Sequence, residues 1–265
     1  MKLFGLYKYW HVENSSEPCF WMGGRFATDL AEISNDPSDI DRYPESFWAV
    51  TSTFSGEFIG ARFNKVEERE WPFSYRPLKA NVWISSHNQE QYCQLVSDIR
   101  EEIASGNVYQ VNACRILSAD CNQSLLGLAN QIIVENPAQF AGYLALPELE
   151  IASASPERFI SRSKQLVTTS PIKGTRPLGK TGECGEKDKS ENIMIVDLMR
   201  NDLGKICNEN SISVPRLLVT EAHPGLEHLV SDVIGNLRNG TSWGEIFQAL
   251  SPPGSVSGAP KSSAL

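Results

Sequence analysis

Between residues 85 and 107 the chain reads SSHNQEQYCQLVSDIREEIASGN, with apolar residues at 92, 95, 96, 99 and 103. That spacing predicts an amphipathic helix, opened by a Ser86-x-x-Gln89 capping box and closed by Gly106-Asn107. Behind it, VYQVNACRI (108–116) predicts a strand, and a second helix is expected over 124–135, ended by Asn136-Pro137. FAGYLAL (140–146) and LEIASAS (149–155) both read as strands. RFISRSKQLVTTSPI (158–172) reads as two extended arms around a polar Ser-Arg-Ser-Lys turn, an antiparallel hairpin. DKSENIMIVDLMRNDLGK (188–205) predicts a helix, SISVPRLLV (211–219) and HLVSDVIGNL (228–237) strands. TSWGEIFQAL (241–250) predicts a short helix with a Ser242-x-x-Glu245 capping box. Adjacent strands interrupted by helices, without regular βαβ alternation, predict an α+β fold built on antiparallel sheets.

Polar, Pro-containing loops at 34–46 and 67–72 break the N-terminal part, and a boundary is expected near residue 80. Residues 1–80 read as a β-rich part of the same fold and 81–265 as its catalytic region. With 265 residues and 41% hydrophobic content, an ordinary soluble core is expected. The net charge is −8 and the basic residues are scattered singly, so no nucleic-acid footprint is present. Six cysteines, at 19, 93, 114, 121, 184 and 207, have no C-x-x-C pairing, which indicates neither a zinc site nor a disulfide framework. The opening MKLFGLYKYWHVE lacks an apolar signal core and no run of about 18 apolar residues occurs, so a cytoplasmic protein without membrane contact is expected.

Gly174 to Thr181 matches G-x-x-x-x-G-K-[ST], the phosphate-cradling loop. The context argues against that chemistry. Pro177 removes a donor inside the loop, and TGECGEKDKS, which would open the helix, has two glycines and no apolar face. Ile193–Asp197, which resembles a strand ending in a magnesium-binding Asp, follows too soon for a helix and two loops between parallel strands.

Six segments in order, YQVN (109–112), SASPERF (153–159), SPIKGTRP (170–177), EKDKSENIMIVDLMRNDLGK (186–205), EHLVSDV (227–233) and PPGSVSGAPK (252–261), resemble the chorismate-utilising enzymes. Pro-Ile-Lys-Gly-Thr resembles in particular their aminodeoxychorismate synthase branch, where other branches carry Ala in place of the lysine. The resemblance implies antiparallel sheets packed as a sandwich with flanking helices. It implies that Lys173 attacks the chorismate ring, expels the 4-hydroxyl as water and forms an amine adduct that ammonia displaces, giving amination at C4. Only a neutral amine is nucleophilic, so the pKa of Lys173 would have to fall by about three units, roughly 4 kcal/mol of differential destabilisation. Arg176 is expected to contribute as a like charge, and burial to supply the rest.

By the same resemblance Glu157 transfers the proton to the leaving hydroxyl, a task suited to a carboxyl whose pKa is raised by burial. A hairpin centred on Ser163 puts Glu157 opposite about Thr169 and Lys173 opposite about Ser153, some 13 Å apart along the ladder. Gly174 and Thr175 are implied contacts of a chorismate carboxylate, and His228 and Ser255 line the site near the ring hydroxyl. Asp188 and Glu191 lie three apart at the start of a helix. They are either an N-cap with its capping box or carboxylates that help to hold Mg²⁺, which the resemblance supports, Glu191 foremost. Asp197, Arg200, Asn201 and Asp202 are assigned to ion pairs and caps. Gln110 stands where isochorismate-forming members carry a water-activating lysine, which argues against water as nucleophile.

Related enzymes continue for roughly seventy to ninety residues beyond SGAPK, so a partial sequence is expected; the domain-size prior alone does not demand that extension. The partners implied are chorismate and a glutamine amidotransferase that delivers ammonia. The alternatives are an anthranilate synthase, against which Lys173 weighs, and a noncatalytic fragment or regulatory remnant.

Overall fold

A computed structural model describes residues 17–74, 82–121, 123–179 and 185–264. The chain begins with β1 (Cys19–Met22), β2 (Arg25–Ser34), α1 (Asp39–Arg42), β3 (Phe47–Ser52) and β4 (Phe58–Glu68). Next come β5 (Ile84–Ser85), α2 (Gln89–Ala104), β6 (Gln110–Val111), β7 (Leu117–Ser118) and α3 (Leu126–Glu135). Strands β8 (Phe140–Leu146), β9 (Leu149–Ser155), β10 (Arg158–Ser163), β11 (Leu166–Ser170) and β12 (Ile172–Pro177) lead to α4 (Glu186–Gly204). The remaining elements are β13 (Ser213–His223), β14 (Leu226–Asn236), α5 (Trp243–Leu250), β15 (Gly258–Ala259) and α6 (Lys261–Ala264). This is the expected α+β fold, with mainly antiparallel sheets and flanking helices.

The chain divides into two compact units. The first contains residues 1–80, but also 121–156 and 242–244. Its described part is a six-stranded antiparallel sheet in the order β3-β4-β2-β1-β8-β9. Residues 121–156 belong with it because β8 pairs with β1 along Cys19–Met22. Alternation explains the packing of β8. Ala141, Tyr143 and Ala145 join Trp21, Phe26 and the α3 residues Leu126, Ala129 and Ile133 in one core, whereas Leu144 and Leu146 join Ala27, Ala49 and Phe63 in another. Each large side chain so buried contributes about 1.5–3 kcal/mol. Helix α3 starts two residues later than its pattern predicted, with its entry held by Glu150 of β9, which accepts from Leu125 N–H and Ser124.

The second unit contains residues 81–120, 157–241 and 245–265. Its long central strand β14 pairs with β13 along one edge and with β11 and β12, end to end, along the other, while β10 pairs with β11. Helix α4 packs on β12, β13 and β14. It buries Asn192, Ile195, Val196, Met199, Asp202 and Leu203, the stripe expected of a helix on a sheet. Asn192 is fully buried and satisfied: it donates to Leu229 O (3.1 Å) and accepts from Ser231 Oγ (2.5 Å). Asp202, also buried, accepts from Lys205 (2.8 Å) and Lys261 (2.5 Å), and Arg200 pairs with Asp197 (3.1 Å), as the ion-pair assignment anticipated.

Three local expectations change. The capping box of α2 is Asn88 with Gln91, not Ser86 with Gln89; the Ser86 hydroxyl instead accepts from Ile116 N–H at 3.0 Å. The strand read over 108–116 pairs only at Gln110–Val111, with β15, since the facing strand is two residues long. The turn of the β10–β11 hairpin is Lys164-Gln165, with Lys164 at φ +55°.

Candidate active site

The hairpin register decides where Glu157 lies. Because the turn sits at Lys164-Gln165 and a bulge falls between Arg158 and Ser161, Arg158 stands opposite Ser170. Glu157 therefore reaches the start of β12, where its carboxylate accepts a hydrogen bond from Ile172 N–H. The expected 13 Å separation from Lys173 is overturned by this two-residue shift, and the charge of Lys173 now acts on the Glu157 carboxyl.

A second bulge aims the lysine. Ile172 stands opposite Val230 and Thr175 opposite His228, so Lys173 and Gly174 together face a single position of β14. Gly174 has φ +84°, a conformation that disfavours any side chain, and a Cβ there would come within 2.9 Å of the Asp188 Cβ. The space over this glycine is thus filled by helix α4. From the bulge, Lys173 Nζ donates to the main-chain carbonyl of Ser255 at 3.2 Å. Asn112 Nδ2 donates to the same oxygen at 2.9 Å, and Asn112 N–H donates to Ser257 O.

Ser255 belongs to a short 3₁₀ turn, Gly254–Val256, pressed onto α4 so closely that a Cβ on Gly254 would collide with Leu198 Cδ2. Its side chain hydrogen-bonds Glu157. Burial pushes the Glu157 carboxyl above the usual carboxylate range, against the opposing effects of the Ser255 hydrogen bond, the Lys173 charge and the Ile172 N–H. Lys173, Glu157 and Ser255 are therefore brought together. Asn112 was missed as a functional residue, although it ends the quoted motif YQVN.

Beside them on β12, Thr175 Oγ1 lies 2.9 Å from His228 Nδ1. His228 is buried, which together with the charge of His223 pushes its imidazole below the ordinary histidine range, opposed by Glu221. Arg176, expected as a like charge for Lys173, is instead paired with Glu227 at 2.7 Å, both side chains mostly buried. Its charge is compensated.

The capping interpretation of Asp188 fails. Helix α4 begins at Glu186 behind Gly185, which makes no side-chain cap, so Asp188 lies inside the first turn. Glu191 pairs loosely with the exposed Lys187 at 3.6 Å. Both carboxylates are partly exposed near the N-terminal end of α4, and Asp188 abuts Gly174. Among the described residues no group of three or more His, Cys, Asp or Glu side chains could enclose a metal ion. Asp188 and Glu191 are two partly exposed carboxylates three residues apart on α4, and Mg²⁺ is commonly held by one or two carboxylates plus water and substrate oxygens.

Of the phosphate-loop match, Lys180 and Thr181 lie outside the described residues, but Thr175–Pro177 is sheet-paired and the next described helix starts at Glu186. A loop whose first residues are paired in a sheet cannot wrap its N–H groups around a phosphate, which supports discarding it. Five described cysteines are free, and Cys184 lies outside the described residues. Among the described residues, no helix is long and apolar enough to cross a membrane.

Residues 58–265 match the chorismate binding enzyme family. The chain is 32% identical over 252 residues to aminodeoxychorismate synthase component 1 of Bacillus subtilis (strain 168), covering 86% of this chain and 53% of the relative. It is 37% identical over 226 residues to the protein of the same name from Escherichia coli (strain K12), covering 82% and 50%. Against anthranilate synthase component 1 of Saccharolobus solfataricus it is 35% identical over 198 residues, covering 71% and 47%. The chain spans about half the length of the curated relatives it matches. Its fold is similar to those of the menaquinone-specific isochorismate synthase of Escherichia coli (TM-score 0.71, 15% identity, 99% of this chain and 75% of that one) and anthranilate synthase component I of Streptococcus pneumoniae TIGR4 (0.67, 21%, 97% and 66%).

Proposed function

The chain belongs to the chorismate binding enzyme family, and from that premise we propose that it aminates chorismate at C4 to 4-amino-4-deoxychorismate, with ammonia supplied by a glutamine amidotransferase partner. The observation that carries the reading is Lys173, set in a bulge of β12, hydrogen-bonded to Ser255 O and beside the half-buried Glu157 carboxyl. In its neutral form the amine forms a C–N bond to the ring while the C4–O bond breaks. Glu157, whose carboxyl burial pushes above the usual carboxylate range, gives its proton to the departing hydroxyl, which leaves as water. Ammonia then forms the C4–N bond as the bond to Lys173 breaks, returning the amine. The Ser255 carbonyl holds one N–H of Lys173 and so narrows the directions open to the nitrogen lone pair.

Gly174 and Thr175 offer an N–H and a hydroxyl to a substrate carboxylate, with His228 behind Thr175. Asp188 and Glu191 would hold Mg²⁺, which supplies positive charge opposite the substrate carboxylates. A second reading, anthranilate formation, is favoured by the likeness to anthranilate synthase components; it leaves Lys173 without a role.

The test incubates the protein with chorismate, Mg²⁺ and ammonium and follows products by chromatography and intact mass. Aminodeoxychorismate, together with a chorismate-derived mass increase that is lost in Lys173→Ala, is expected. Anthranilate as the main product, with Lys173→Ala unimpaired, would overturn the reading.

A further inference from the structure

The hairpin β13–β14 carries a second histidine that this chemistry does not use. Glu221 on β13 stands opposite His228 on β14, and His223 lies two residues further along the same face. The His223 and His228 rings meet edge to face, with centroids 4.6 Å apart and planes at 67°. On the other edge of β14, Thr175 stands opposite His228 and bonds it. Glu221, His228 and Thr175 thus form a row across three strands, with His223 stacked against its middle member.

The Thr175–His228 bond has a direction that matters. If Nδ1 carries the proton, the imidazole donates and the Thr175 hydroxyl hydrogen is free to reach a ligand carboxylate. If Nδ1 is bare, Thr175 donates to it and offers only lone pairs. We propose that His223 is a positioning residue: its ring fixes the plane of His228, and its charge governs the protons on His228, and through them the direction of the Thr175 hydroxyl. This rests on the reading of Thr175 as a substrate contact.

A positive charge on His223 disfavours one on His228, as burial does, and Glu221 acts oppositely. The other charged groups nearby are already paired: on β13 Arg216 with Glu221 and with Asp232 of β14, and on β12 Arg176 with Glu227 of β14. Helix α4, packed on β12 and β14, brings Asp188 and Glu191 at its first turns, and Asp188 faces Gly174. Lys173 of β12 points instead to Ser255. His223 is the group in ring contact with His228.

The experiment records imidazole ¹⁵N–¹H long-range spectra of the full chain across pH, in the wild type, His223→Phe, His223→Ala and Glu221→Gln. Four histidines keep assignment simple. His223→Phe keeps a flat ring of similar size and cannot carry a charge, so the His228 titration should move up, while Glu221→Gln moves it down. His223→Ala should also mix the two neutral tautomers of His228 and raise the chorismate KM roughly fivefold with kcat retained. An identical His228 titration and tautomer in wild type, His223→Phe and His223→Ala, all folded by circular dichroism, would overturn the proposal. A wild-type chain that makes no aminodeoxychorismate would strike the amination reading alone, because the spectra need no turnover.

Discussion

Strands β8 and β9 pair without a break from Phe140–Ser155 to Leu146–Leu149. Strand β12 does not follow β14 so evenly: its pairing slips at Lys173-Gly174, and the preceding β11 ends at Ser170 before Pro171. Both segments are antiparallel and similar in length. In the first, every alternate side chain feeds a core, so a slip would turn Tyr143 out of its aromatic cluster. In the second, the slip aims one amine at a carbonyl. Regular pairing serves burial, and its interruption serves placement.

Lys173→Ala gives the sharpest contrast: it should remove the covalent adduct altogether while leaving the unfolding midpoint close to wild type, as seen by intact mass and urea titration. Glu157→Gln should lower kcat by about 10²–10⁴-fold, with amination in wild type fading as pH rises through the raised carboxyl pKa. The same raised value has a stability consequence. The folded state holds this proton more tightly than the unfolded one, so the stabilisation is complete below the ordinary carboxylate range. It is lost as pH rises through the folded pKa. Glu157→Gln should flatten that part of the stability profile.

Gly174→Ala tests the bulge itself. With φ +84° and Asp188 Cβ only 2.9 Å from the added methyl, it should cost about 2 kcal/mol in urea unfolding and impair amination as well. The smallest effect is expected on the regular sheet of the first unit, where Val50 on β3 is 41% exposed. Val50→Thr should change stability by less than about 0.5 kcal/mol and leave turnover alone. If it cost more than Gly174→Ala, the contrast between the two sheets would fail.

Much of this arrangement was legible in the letters. The strands over 140–155 follow from their alternation, and the helix over 188–205 from its apolar spacing, since burial imposes those periods directly. The motifs around Lys173, Glu157 and Ser255 marked residues that do come together. Their mutual placement was not legible, because one step in a turn shifts the facing residue by two, and Ser-Arg-Ser-Lys-Gln offers several polar positions for the bend. Asn88 and Ser86 are both competent caps, and only the contact of Ser86 with Ile116, thirty residues away, separates them. Asn112 reaches across 143 positions to Ser255, a distance over which local pattern carries no information.

The oxygen that receives both Lys173 and Asn112 belongs to the polypeptide backbone. No codon change deletes it. Alanine scanning at position 255 would strip the hydroxyl from Glu157 yet keep the acceptor that steers the amine, so a mild phenotype there would understate the site. Replacing the amide between Ser255 and Val256 with an ester, which weakens that carbonyl as an acceptor, is the perturbation that reaches it.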